Sequence, residues 1–334
     1  MLLNLSFAKF SIFFRVIKGF ELPMFSGSAF RGIFGRALQL VAFKMSPKCQ
    51  SCFIVQDCQK KYLLDYIFNP SSDHPLLVNV DNHGRKDQLA KPYILDPPEA
   101  GLYLPDNLVK LDFIMVGHSV QYFPFVACAF SMIHKFNYWS SDHSDQQGKV
   151  RLENIVDGFA ENEGDMVVFD GRLDRIVGPA QIYDFDLVKN HVEMLYDYPS
   201  NDTMLQIRFL SPFRYKQDNK LGVPLDFKIF MARILDRIEQ LSVHSPLTEP
   251  INKHAILDAA AQVKTEKSSL QWHDWERYSS RQNSRMKFGG YLGDIAFSGN
   301  LIPFLPYIKM GEFLHVGKQT TFGLGKYSVM VSQT

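Results

Sequence analysis

"TMLQIRFLSPFRYK" (residues 203–216), followed shortly by "LDFKIFMARILDRIEQL" (225–241), decides how the chain is read. The first stretch predicts a strand, and the second predicts a helix with Phe227, Phe230, Ile234, Ile238 and Leu241 on one face. The chain also starts this way. Residues 3–16, rich in Phe, Ile and Val, predict a long strand. A turn and N-cap at Gly27 and Ser28 then lead into Phe30, Ile33, Phe34, Ala37, Leu38 and Val41 at helical spacing. The first half continues with a strand at "LVKLDFIMVG" (108–117), a helix at "QYFPFVACAFSMIHKF" (121–136), and strands at "KVRLENIVDG" (149–158) and "MVVFDG" (166–171). In the second half, "INKHAILDAAAQVKTEK" (251–267) predicts an extra helix. "SRMKFGGYLGDIAFSG" (284–299) predicts a strand pair bent at Gly289-Gly290, "LIPFLPYIKMG" (301–311) a short helix, and "KYSVMVSQ" (326–333) a closing strand. Two β-α-β-β-α-β units in tandem is the economical α+β reading. The first covers residues 1–190 with a cysteine-containing insertion, and the second covers 200–334. The join falls near Pro199, Ser200 and Asn201.

The composition, 46% hydrophobic and 21% charged over 334 residues, is that of a globular protein with a substantial core. No apolar run reaches bilayer length, and the opening segment carries Lys9 and Arg15 within its apolar stretch. It therefore reads as a strand and not as a signal peptide, with the cytoplasm as the expected location. Four cysteines do not make a disulfide framework. The formal net charge of +1 announces no nucleic-acid binder, but its distribution is uneven. From Lys264 onward nine Lys/Arg stand against five Asp/Glu, and "RYSSRQNSRMK" (277–287) holds Arg277, Arg281, Arg285 and Lys287 with no acid. Such a run is either a solvated face or, with Tyr278 and Gln282 interleaved, a reader of phosphates and bases.

"HVGKQTTFGLGKYSVMV" (315–331) is a glycine-rich loop entering the last strand. It is not a P-loop: Glu312 stands where the first glycine of that motif belongs, and a P-loop opens a helix. Gly317, Gly323 and Gly325, with Lys318 beside them, make either a tight connection or a loop whose backbone N–H groups meet an anion. Cys49, Cys52 and Cys58, spaced C-x2-C-x5-C, make up part of a structural zinc site or are ordinary thiols; His74 and His83 could complete the set, though nothing in their spacing argues for it. His315 opens the glycine loop. It either packs at the loop edge or, beside bound phosphate, moves a proton.

Four segments in order carry a resemblance: "GSAFRGIFGRAL", "CQSCFIVQDC" with Tyr62, "WERYSSRQNSRMKFGGYLGDIAFSGNL" and "GEFLHVGKQTTFGLGKY". Together they resemble the sixth CRISPR-associated family, the precursor-crRNA processing endoribonucleases of the RAMP superfamily. The resemblance implies tandem ferredoxin-like (RRM-like) domains with an RNA-contacting glycine loop before the last strand. It further implies metal-independent cleavage of CRISPR repeat RNA, in which the 2′-hydroxyl attacks the adjacent phosphorus and leaves a 2′,3′-cyclic phosphate. No cofactor is then required for catalysis, and zinc would be structural only. Carried over by residue, Gly317, Lys318, Gly323 and Gly325 match the RNA-contacting loop, and Arg277, Tyr278, Arg281 and Gln282 match its "RYS-x-RQ" segment. Arg31 matches the arginine of the first helix, as an RNA contact or an interdomain brace. His315 is the catalytic candidate. The pattern departs from the family in having no histidine in or just after the first helix, and in keeping only Gly148 of a first-domain glycine loop at 137–148. The rival expectation is therefore a catalytically inactive RAMP subunit that binds crRNA within an effector complex beside other Cas proteins. The expected partners are RNA and Cas proteins, and no membrane. The sequence leaves the oligomeric state and the repeat sequence open.

Overall fold

The computed structural model describes residues 5–43, 59–71, 74, 76–77, 89–135, 148–160, 166–195, 203–217, 219–245, 251–279 and 284–333. The chain forms two compact units. One comprises Asn4–Tyr183 with Leu241–Pro246, the other Asp184–Gln240 with Leu247–Thr334.

In the N-terminal unit the order is β1 (Phe7–Lys18), β2 (Phe20–Leu22), α1 (Gly27–Phe43), α2 (Gln59–Phe68), β3 (Tyr93–Asp96), β4 (Gly101–Tyr103), β5 (Leu108–Val116), α3 (Phe123–Ser131), β6 (Lys149–Asp157), β7 (Val167–Asp170) and β8 (Arg175–Ile176). Its main sheet runs β3-β5-β1-β6-β7-β8, with every neighbouring pair antiparallel. The first four strands in that list have the ferredoxin-like order, with the first and third strands of the βαββαβ unit, β1 and β5, side by side at their centre. Period-2 alternation puts Ala8, Phe10, Ile12, Phe14 and Val16 of β1 on the helix-covered face. Phe34 of α1 packs there between Phe113 (ring centroids 4.9 Å) and Phe130 (5.1 Å), while Phe10 stacks on Phe123 of α3 at 4.1 Å.

The C-terminal unit repeats the plan: α4 (Phe185–Leu195), β9 (Thr203–Phe213), α5 (Phe227–Ser242), α6 (Lys253–Ala260), β10 (Lys264–Ser268), β11 (Gln271–Ser279), β12 (Ser284–Gly299), α7 (Leu305–Leu314) and β13 (Tyr327–Gln333). Its sheet runs β10-β12-β9-β13, again antiparallel, and β11 pairs β12 off that path. Phe227 and Phe230 of α5 meet Phe297 and Tyr327 edge-on at 5.0 and 5.3 Å, closing the core over the sheet.

Three local expectations change. The segment 251–267 is not one helix: α6 stops at Ala260, and Lys264–Ser268 forms strand β10. The strand pair bent at Gly289-Gly290 is instead one continuous 16-residue strand, whose hairpin partner is β11. The two glycines serve close approach. A Cβ at Gly289 would lie 2.1 Å from the Asp274 carboxylate, and one at Gly290 would lie 2.9 Å from Pro212. The irregularity falls nearby, between Tyr291 and Gly293, where the register against β9 shifts. Finally, α4 begins at Phe185, five residues before the expected domain end at 190, and belongs to the C-terminal unit, held by Phe185 against Tyr307 at 5.1 Å.

Candidate nucleic-acid interface

The glycine loop is built from the end of α7. His315 leaves the helix with φ 51° and ψ 148°. The Val316 N–H then donates to the Gly325 carbonyl (3.0 Å), clasping the base of the loop. Lys318 N–H donates to the Arg214 carbonyl at 2.8 Å. Residues Thr320–Phe322 make a single 3-10 turn between Gln319 (φ 66°) and Gly323 (φ 82°). Gly325 N–H donates to the Pro212 carbonyl at 3.1 Å. Ser211 Oγ donates to the Gly323 carbonyl at 2.7 Å and accepts the Lys326 N–H at 2.9 Å.

This geometry changes what the loop offers an anion. Of the three glycines whose amides were expected to face phosphate oxygens, Gly323 and Gly325 donate to protein carbonyls, as do the neighbouring amides of Val316 and Lys318. These four amides have no proton left for an anion. The glycines instead let the loop press against the end of β9. A Cβ on Gly317 would sit 2.5 Å from the Arg214 carbonyl oxygen, and one on Gly325 1.8 Å from that of Val316. What the loop presents outward is the exposed Lys318. The loop is a rigid mount for a cation. His315 is 2% exposed, so its ring faces the protein interior, and proton transfer to a ligand would require the loop base to open.

Other expected positions are scattered. Arg31 sits inside the N-terminal unit, where its Nε donates to Tyr93 Oη (3.1 Å) and its guanidinium lies 5.9 Å from the Phe68 ring centroid. It braces α1 against β3 and α2. Burial pushes the Tyr93 phenol up to about 12 although Arg31 draws it down, so Tyr93 stays a neutral partner. Arg277 and Tyr278 lie in β11, paired in register with Met286 and Arg285. Their side chains lie outside the described residues, as do Arg281, Gln282, Cys49, Cys52 and Cys58 in full. Among the described residues, no group of three His, Cys, Asp or Glu could hold a metal.

A second cationic feature was not expected. On the face of the N-terminal sheet away from the helices, Lys9, Arg15, Lys110, Arg151 and Arg172 gather around two carboxylates. Asp112 receives Ser11 Oγ at 2.6 Å and Lys9 at 3.1 Å, with Lys110 at 3.9 Å. Glu153 binds Arg15 at 3.1 Å, Arg151 at 3.7 Å and, closest, Arg172. Glu153 is the unpaired residue of a bulge between the Phe13–Asn154 and Phe14–Leu152 pairs. Lys110 lies 5.8 Å over the Phe13 ring. With Asp96 opposite Asp112, and Asp170 opposite both Asn154 and Arg175, six cations stand against four acids and leave this face with a positive excess; Lys110, Arg151 and Arg172 reach solvent at 49%, 55% and 66% exposure. The signal was present in the sequence as cations alternating along "AKFSIFFR", "LVKLD" and "KVRLE". Only the pairing register shows that these three rows adjoin.

The two carboxylates carry a pH prediction. Burial pushes both up, but hydrogen bonds from Arg172 and Arg15 outweigh it at Glu153, and Lys9 with Ser11 at Asp112, so both end below the ordinary carboxylate range. A lowered folded value means stability that is complete above the unfolded carboxylate pKa and is lost as pH falls through the folded one. Thermal melts at pH 6, 4 and 3 should show Tm falling steeply below about pH 4. Glu153→Gln with Asp112→Asn should lower Tm at pH 6 and flatten that acid limb; an unchanged limb would remove the assignment.

No helix among the described residues is long and apolar enough to cross a membrane. No curated protein matches the chain. Residues 5–180 match the family described as AF_1859_N, N-terminal domain. Residues 207–327 match the CRISPR-associated endoribonuclease Cas6. Among solved structures, a partial Cas6-RT-Cas1–Cas2 complex is similar over 98% of this chain at 12% identity and TM-score 0.58. This chain spans 46% of that polypeptide and 29% of the one in the Cas6-RT-Cas1–Cas2 complex. A Cas6 product complex matches at 15% identity and TM-score 0.53, covering 96% of this chain and 100% of the other. A Thermus thermophilus Cas6 matches at 12% and 0.50, covering 97% and 99%. At such identities the likeness speaks for the tandem ferredoxin-like fold. The first family match spans just over half of the sequence and the second about a third: the chain belongs to the AF_1859_N family and carries a CRISPR-associated Cas6 endoribonuclease domain C-terminal to that match.

Proposed function

We propose that the chain processes CRISPR precursor RNA by cutting within the repeat, without a metal ion. The observation that carries this is the Cas6 endoribonuclease match over residues 207–327, which takes in the glycine loop and the basic β11–β12 hairpin. In the reaction a base removes the 2′-OH proton, and the alkoxide attacks the adjacent phosphorus in line. The P–O5′ bond breaks, and an acid protonates the departing 5′-oxygen. The products are a 2′,3′-cyclic phosphate and a 5′-hydroxyl. DNA lacks the nucleophile, so selectivity for RNA follows from the chemistry. Lys318 and the cations of the N-terminal sheet face supply charge for the phosphates; on the hairpin Arg277 and Arg281 supply it, and Tyr278 and Gln282 offer hydrogen bonds. The partners are repeat RNA and, in an effector assembly, other Cas proteins.

The test is purified protein with its cognate repeat RNA in EDTA. Cutting at one position, ending in a cyclic phosphate and blocked by a 2′-deoxy substitution there, is the expected result. Uncut RNA removes the enzyme claim. His315→Ala should slow cutting about 10²–10⁴-fold if His315 transfers a proton, and unchanged cutting removes that residue alone. The burial of His315 favours a second reading, a subunit that holds crRNA without cleaving it. Tight binding with intact RNA would select that reading.

A further inference from the structure

Helix α5 carries a cation where its pattern calls for an apolar residue. Phe230, Ile234 and Ile238 form its core stripe, and Arg237 falls on the same face at 5% exposure. The acids of α5 lie elsewhere: Asp236 pairs with Arg233 and Lys253, and Glu239 with Lys253. No carboxylate among the described residues pairs with Arg237, and its Nη2 is buried without a hydrogen-bond partner. Burial alone draws the guanidinium down to about 9, so it remains a cation at neutral pH. Its Nε makes one bond, to the Leu314 carbonyl at 3.2 Å. Leu314 is the last residue of α7, where the helix presents its partial negative end, and the next residue opens the glycine loop.

A buried guanidinium without a counter-ion is a poor way to stabilise a core, and apolar replacement of buried charges is often neutral or stabilising. Its one contact fixes the point from which the loop departs. We propose that Arg237 is a positioning residue for RNA binding: it anchors the carboxyl end of α7 and so sets where the glycine loop holds Lys318 against a phosphate. This rests on the RNA-binding reading above.

The test uses the full chain and cognate repeat RNA, with Kd and Tm measured on Arg237→Met, Arg237→Lys, Lys318→Ala and the Arg237→Met/Lys318→Ala pair. Arg237→Met should melt at or above the native Tm and yet bind RNA about tenfold more weakly, with a salt slope shallower by roughly one phosphate contact. The double variant should bind no worse than Arg237→Met, because both changes remove one contact. Arg237→Lys, which keeps the charge and loses the planar fork, should fall between. Native affinity in Arg237→Met overturns the proposal, as do losses that multiply in the double variant while Tm and affinity fall together. Should Arg237→Met fail to fold, native affinity in Arg237→Lys overturns it as well. Native protein that binds no repeat RNA overturns the reading beneath it. Native binding left unmoved by these variants overturns this inference alone.

Discussion

Gly325→Ala should melt roughly 10 °C below the native chain, the largest stability loss expected from any single methyl group in the loop. Two costs combine. Gly325 has φ +75°, where a residue with a Cβ is disfavoured by about 1–2 kcal/mol. The added Cβ would also lie 1.8 Å from the Val316 carbonyl oxygen and 2.8 Å from its carbon. Both are backbone atoms of the clasp that closes the loop, so no side chain can swing aside. Relief requires breaking the Val316–Gly325 hydrogen bond, which brings the total to about 3–4 kcal/mol. Since α7, β9 and β13 share that clasp, the loss should appear in the main thermal transition and in RNA affinity together. Gly32→Ala is the matched control. It lies inside α1 with nothing within 4 Å of the added atom, and should raise stability by up to about 1 kcal/mol. Thermal unfolding followed by circular dichroism decides: a Gly325→Ala midpoint within about 2 °C of native would mean the loop is not the rigid mount described.

Replacing Lys110, Arg151 and Arg172 together by alanine should weaken repeat-RNA binding by roughly 10–100-fold at physiological salt, with a Tm loss of a few degrees because Glu153 then keeps only Arg15. All three are about half or more exposed, and surface ion pairs of this kind contribute at most about 1 kcal/mol each. Their contribution to binding comes through counter-ion release. Removing three phosphate contacts to single-stranded RNA should lower the slope of log K against log salt by about 2. Lys189→Ala with Lys228→Ala, exposed cations of α4 and α5, should leave the slope close to native. Equal losses in both sets would show that charge alone, without a defined surface, carries the binding.

Much of the architecture was legible because hydrophobic period is a local property. Phe30, Ile33, Phe34, Ala37 and Leu38 form the core face of α1 as their spacing predicts, and β5, β6, β9 and β13 lie close to where their apolar runs begin and end. The local misreadings have local reasons. Glycine punctuates a sequence either as a bend or as a place where another chain segment comes close, and at Gly289-Gly290 the neighbours Asp274 and Pro212 decided for the second. The helical appearance of "VKTEK" gave way because Lys264–Ser268 pairs with the edge of β12.

The candidate site was less legible, since it depends on distance across the fold. By itself the sequence determined the two βαββαβ units, the cation beside the glycine loop and the family resemblance, all of which rest on residue type and spacing along the chain. Only the tertiary structure decided which way each group faces. It turned the loop's amides inward to Pro212 and Arg214, enclosed His315, placed Arg237 under the end of α7, and laid three strands side by side to make a positive face. Hydrogen bonding and burial are set by partners far apart in the chain, and no spacing rule within one segment carries that information.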